Sequence, residues 1–186
     1  MTTIAQTKQI NRWRVTRWSM AAALLCVPAI AMYYTSEVVW TASDFLAMGT
    51  LLTVVLGAYE LLASRAQNIV YRAASVLTTL GLFLLIWINL AVGIIGDEGN
   101  AANLMFAAVI AILTGGACVA RLKPGGMART LGAAAGVQLA IGAIALAGGL
   151  GAEGPGWPRD VSALTAFFSG LWAVAATLFW LAGARR

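Results

Sequence analysis

Six long runs of this sequence carry almost no charge, and that feature constrains the fold more than any other. Residues 18–35, 73–95, 101–120, 130–151 and 161–184 contain no charged side chain, and 44–63 contains Glu60 as its one internal charge. A membrane-spanning helix takes about 20 apolar residues, so each run is long enough, or nearly so, to cross a bilayer. Composition rules out the soluble alternative. The chain of 186 residues is 61% hydrophobic and 10% charged, whereas a soluble domain is about 45–50% apolar and about 25% charged. So few charges cannot cover a water-facing surface.

Short polar clusters separate the runs. Gly96-Asp97-Glu98-Gly99-Asn100, Lys123-Pro124-Gly125-Gly126 and Gly154-Pro155-Gly156-Trp157-Pro158 are turn signals. Short connections make neighbouring helices antiparallel. The expectation is one all-α integral membrane domain over 1–186: six transmembrane helices arranged as three antiparallel hairpins. Pro28 should bend the first helix rather than end it. A rival reading takes the basic leader, the first apolar run and Ala29-Ile30-Ala31 as a signal peptide with its cleavage site. The basic region is long for a leader, so retention is expected.

Charge distribution orients the bundle. With the N-terminus cytoplasmic, eleven of the twelve basic residues fall inside: Lys8, Arg12, Arg14, Arg17, Arg65, Arg72, Arg121, Lys123, Arg129, Arg185 and Arg186. Only Arg159 lies outside. Glu37, Asp44, Asp97, Glu98, Glu153 and Asp160 also fall outside. The basic bias sets topology, so both termini are expected in the cytoplasm of a bacterial inner membrane. The net charge of +5 then marks a membrane face and calls for no nucleic acid. Trp13, Trp18 and Tyr71 fit an inner aromatic belt, and Tyr33, Tyr34, Trp40 and Trp157 an outer one. Ile10 and Trp13 beside the N-terminal arginines suit a short helix on anionic headgroups. Arg14, Arg72 and Arg129 recur at nearly equal intervals, and Glu37, Trp40 and Asp44 parallel Glu153, Trp157 and Asp160. Duplicated hairpins would give this pattern, and so would any six-span chain with short loops.

Missing residues close off chemistry. There is no histidine, which excludes His-ligated haem, His-containing zinc sites and a Ser-His-Asp triad. Cys26 and Cys118 lie apart in apolar runs and read as small buried hydrophobes. No lysine lies within a run, so a Schiff base inside the membrane has no candidate. No cofactor and no metal are expected.

The remaining candidates are polar residues in or near the membrane. An intramembrane ionisable group is costly and is a functional hypothesis by default. Glu60 qualifies, as a proton or cation site or as the partner of Arg65, Arg72 or Arg121. Asn89, Asp97, Glu98, Asn100 and Asn103 form the most polar outer cluster, a candidate vestibule, although Asn100 or Asn103 also reads as the cap of span four. In span five, Gly132, Gly136 and Ala140 repeat every four residues, a ridge that lets helix backbones approach closely. Gln138 beside it reads as interhelical glue. The segment from Trp87 to Phe106, with Asn89, Gly93, Gly96-Asp97-Glu98-Gly99-Asn100 and Asn103, resembles small uncharacterised multi-span inner-membrane proteins of Gram-negative bacteria. The resemblance implies a compact multi-span protein and supplies no activity.

Two functions follow. The first is a non-enzymatic inner-membrane protein working through helix packing, its partners being the lipid bilayer and a second copy or another membrane protein. The alternative is a small transporter or channel for a proton, ion or small solute, using Glu60 and the Asn89/Asp97/Glu98/Asn103 mouth.

Overall fold

A computed structural model of the chain describes residues 2–154 and 156–184, with side chains from Arg12 onward. The expectations resting on the side chains of Lys8 and Ile10, and on Pro155, Arg185 and Arg186, lie outside the described residues. Its regular elements are helices: α1 (Thr2–Tyr34), α2 (Ala42–Ser64), α3 (Ile69–Ala91), a 3₁₀ turn (Ala101–Met105), α4 (Phe106–Ala120), α5 (Pro124–Ala147) and α6 (Arg159–Ala184). Among the described residues there is no strand. Within those residues six helices are long and apolar enough to cross a membrane, α1 over Arg12–Tyr34 and the 3₁₀ turn with α4 over Ala101–Ala120. The protein is a multi-pass membrane protein by length and composition.

Local chemistry fixes the helix ends. The Asp44 carboxylate holds the start of α2, accepting from the Thr41 N–H at 2.7 Å and from the Thr41 hydroxyl at 2.8 Å. Asn68 caps α3 by accepting from the Tyr71 N–H at 2.9 Å. α3 ends at Ala91 rather than Ile95, because Gly93 turns left-handed at φ +75°. Its N–H closes the helix onto the Ile88 carbonyl at 2.9 Å. Uncharged sequence continues past that point, so hydrophobicity alone placed the end four residues late. α5 opens with Pro124 in its first turn, where the missing N–H costs nothing. Pro28 lies inside an unbroken α1.

The contacts divide the chain into two compact units, Met1–Ala58 and Tyr59–Arg186. The first holds α1 and most of α2. No described side chain of α1 is buried, while Met48, Leu51 and Leu52 of α2 are.

The second unit is built on one core shared by α3 to α6. The most extensive contact joins α5 to α6; α4 packs on α5, and α3 on α6. Small residues set each crossing. A methyl group on Gly142 would overlap Thr165, one on Gly116 would overlap Thr130, and one on Gly81 would come within 2.8 Å of the Trp172 ring. Absence of a side chain at these points lets backbones approach and brings dispersion contacts that lipid tails cannot match.

These contacts also give direction. Gly142 meets Thr165 and Gly183 meets Pro124, so α5 and α6 run antiparallel; Gly116 with Thr130 and Gly126 with Ala120 make α4 and α5 antiparallel. Tyr71 packs edge-on against Phe179 with centroids 4.9 Å apart, and Asn68 donates to the Ala182 carbonyl at 3.1 Å. α3 is therefore antiparallel to α6. The Tyr71 hydroxyl donates to the Leu122 carbonyl at 2.7 Å, joining the start of α3 to the α4–α5 turn. This end of the unit carries Arg72, Arg121, Lys123 and Arg129. At the other end the loop after α3 meets the loop after α5, with Gly151 so close to Gly96 that a Cβ there would sit 2.5 Å from the Gly96 nitrogen. That end carries Asp97, Glu98, Glu153 and Asp160.

Candidate functional site: a pinned loop and a buried polar seam

Residues 92–100 are the connection in which the sequence concentrates polar groups. Asn103 organises it. The Asn103 Oδ1 accepts from the Ile94 N–H at 3.0 Å and the Ile95 N–H at 2.9 Å. Its Nδ2 donates to the carbonyls of Ile95 at 3.3 Å and Asp97 at 2.7 Å. A side-chain amide has two donor hydrogens and two acceptor lone pairs, so Asn103 is saturated by the loop it holds. This fixes the backbone of Ile94 and Ile95, whose side chains are buried in the core. Asn100 caps the 3₁₀ turn by accepting from the Ala102 N–H at 2.9 Å. Asp97 and Glu98 are exposed. Asn89 lies on α3, where its Nδ2 donates to the Leu85 carbonyl at 2.8 Å and its buried Oδ1 has no partner. The structure thus ties Asn103, Asn100 and the Asp97 backbone into one folded loop, and leaves Asn89 bonded within its own helix. Glu60 is half-buried near the end of α2 and is not without a partner.

The two faces of α5 differ sharply. Gly132, Gly136 and Ala140 are exposed, as are Ala133, Ala143 and Ala147. Nothing lies within 4 Å of where a Cβ on Gly132 or Gly136 would stand. The α5 glycines that receive neighbouring helices are Gly126 and Gly142, whereas the Gly132–Gly136–Ala140 ridge faces away from α4 and α6.

Gln138 lies on the opposite face, fully buried, with neither amide atom hydrogen-bonded. Four residues along each helix from the Gly142–Thr165 contact, Gln138 of α5 and Ser169 of α6 stand level with each other. The hydroxyls of Thr165 and Ser169 and the indole N–H of Trp172 are also buried without a partner. Thr165, Ser169 and Trp172 recur at helical spacing on the buried face of α6. On α3 the hydroxyls of Ser75, Thr78 and Thr79 are buried too, but each donates to a carbonyl four residues back, at 2.8–2.9 Å. The seam is neutral. Sequence reading found Gln138 but missed Thr165, Ser169 and Trp172, although their spacing in an apolar run was a usable signal.

Among the described residues no three His, Cys, Asp or Glu side chains cluster as metal ligands. Cys26 and Cys118 are free and exposed. They face outward from their helices, which corrects their reading as buried core: in a membrane helix an apolar run surrounds the whole helix and does not tell which side faces inward. Comparison with known proteins finds no matching family model, no similar curated protein and no similar solved structure.

Proposed function

We propose that this chain is a non-enzymatic integral inner-membrane protein that works by assembling, with itself or as an accessory subunit of a membrane complex, through the outward ridge of α5. The observation that carries this reading is the open space around Gly132 and Gly136. A lipid-facing helix has no need of a side chain-free ridge, because acyl chains pack equally well on leucine. A second helix does need one, since close backbone approach is the source of its attraction. Three antiparallel hairpins with cytoplasmic termini complete the picture. The packed antiparallel pair of α5 and α6 supports the third hairpin, and the gathering of basic residues at one end supports the orientation; α3 packs on α6 rather than on α4.

The test is the mass of the gently solubilised protein. Wild type should run as an oligomer or with a membrane-protein partner. Gly132→Leu and Gly136→Leu should release the monomer without lowering its thermal stability, because no described atom of α3 to α6 lies within 4 Å of where either Cβ would stand. A monomeric, partner-free wild type would refute the proposal.

Transport of a proton, ion or small solute is the second reading, and the unpartnered Gln138–Ser169 seam favours it, since polar groups inside a bundle mark permeation paths. Flux into proteoliposomes should then fall on Gln138→Leu or Glu60→Gln. Equal leak in wild type and both variants rejects it.

A further inference from the structure

At the basic end of the larger unit, the end of α4, the start of α5 and the end of α6 enclose an open groove of about 580 Å³. Its charged lining residues are Lys123 and Arg129, and its lining holds no acidic side chain. The Arg129 Nε donates to the Gly125 carbonyl at 3.3 Å. That bond holds the guanidinium beside the first turn of α5 and leaves its terminal nitrogens for another acceptor. Gly125 and Gly183 keep the floor of the groove low. The walls are apolar and uncovered: Val119 is 88% exposed and Trp180 63%. Two cations therefore sit at a helix end, beside apolar surface that continues along membrane-spanning helices.

We propose that this groove binds an anionic phospholipid, its phosphate between Lys123 and Arg129 and an acyl chain along Val119 and Trp180. The inference rests on the membrane-spanning reading and is independent of assembly through Gly132 and Gly136. Charge complementarity selects the occupant. Two cations with no acidic side chain among the described lining residues leave a zwitterionic headgroup's ammonium without a counter-charge there, whereas a net negative headgroup satisfies both. Basic pockets between transmembrane helices recognise anionic headgroups in this way. The apolar walls favour lipid over a free phosphate ion, which would gain nothing from Trp180 and Val119.

Trp180 supplies the probe. The full chain is reconstituted in bilayers of brominated phosphatidylcholine, with brominated phosphatidylglycerol added stepwise. Quenching of Trp180 is taken as the difference between wild type and Trp180→Phe. Roughly thirtyfold preference for the anionic lipid is expected from two cations, falling to near unity in Lys123→Gln/Arg129→Gln and to an intermediate value in either single variant. Excess inorganic phosphate should leave the preference in place, and so should Gly132→Leu, even where that variant is monomeric. Equal quenching by both lipids in wild type overturns the proposal. So does a preference that survives the double variant, or one abolished by free phosphate.

Discussion

Replacing Asn103 with alanine removes four hydrogen bonds at once, two accepted from N–H groups and two donated to carbonyls. The loss concentrates at Ile94 and Ile95, which are 2% and 0% exposed. Their amides have no water to turn to. A buried donor left unmade costs about 1–3 kcal/mol, so two give about 2–6 kcal/mol against the folded loop. Each 1.4 kcal/mol is a factor of about ten in an equilibrium. Hydrogen exchange at the Ile94 and Ile95 amides should therefore accelerate by at least about thirtyfold. Exchange within α5 should change less, because the loop can open without separating α5 from α6. Asn103→Asp separates the two halves of the amide. It still accepts from both N–H groups, so those amides stay protected, but it turns an oxygen toward the carbonyls of Ile95 and Asp97. Its thermal stability should fall while slow exchange at 94 and 95 persists. Wild-type exchange at both amides in Asn103→Ala would refute the claim that this side chain holds the loop.

Four further outcomes follow from the same structure. Gly142→Val should lower the unfolding temperature markedly by forcing α5 from α6 at Thr165, whereas Gly132→Ala should leave it unchanged; a thermal melt of both in one detergent checks the contrast. Gln138→Leu should raise stability by about 1–3 kcal/mol, since it removes a buried amide that no protein group satisfies; a loss of stability in chemical denaturation would mean the amide is bonded in the membrane. Tyr71→Phe should cost about 1 kcal/mol, the worth of one hydrogen bond, by releasing the Leu122 carbonyl, and the same denaturation series measures it. Gly93→Ala should be harsher than Gly99→Ala in the same assay, because a Cβ at Gly93 falls on the Asp97 carbonyl at a backbone angle that only glycine adopts without strain.

The six helices were legible because a bilayer demands long apolar runs, and nothing else in the sequence competes with that demand. Their ends were less so. Ile94 and Ile95 continue the apolar run of α3, and only the flanking glycines, Gly93 and Gly96, mark them as loop. Facing was harder still. In a soluble helix the polar side identifies the surface, but around α5 every side is apolar, so the small-residue ridge was visible while its outward direction was not. Gln138, two residues from Gly136, points the other way, and no pattern of hydrophobicity distinguishes the two. The work of Asn103 was hidden because its partners are backbone groups six to nine residues earlier, and backbone groups have no signature in sequence.

The 3₁₀ turn before α4 bears on the thickness of membrane this protein can occupy. α4 itself has 15 residues, about 22 Å at the α-helical rise, short of the roughly 30 Å of a hydrocarbon core. The five residues Ala101–Met105, wound more tightly, rise about 2.0 Å each and bring the span to about 32 Å. α6, with 26 residues, reaches about 39 Å and can absorb any excess by tilting. α4 has no such slack. A thicker bilayer will strain this segment first, and Asn100, which caps the turn, sits where that strain is borne.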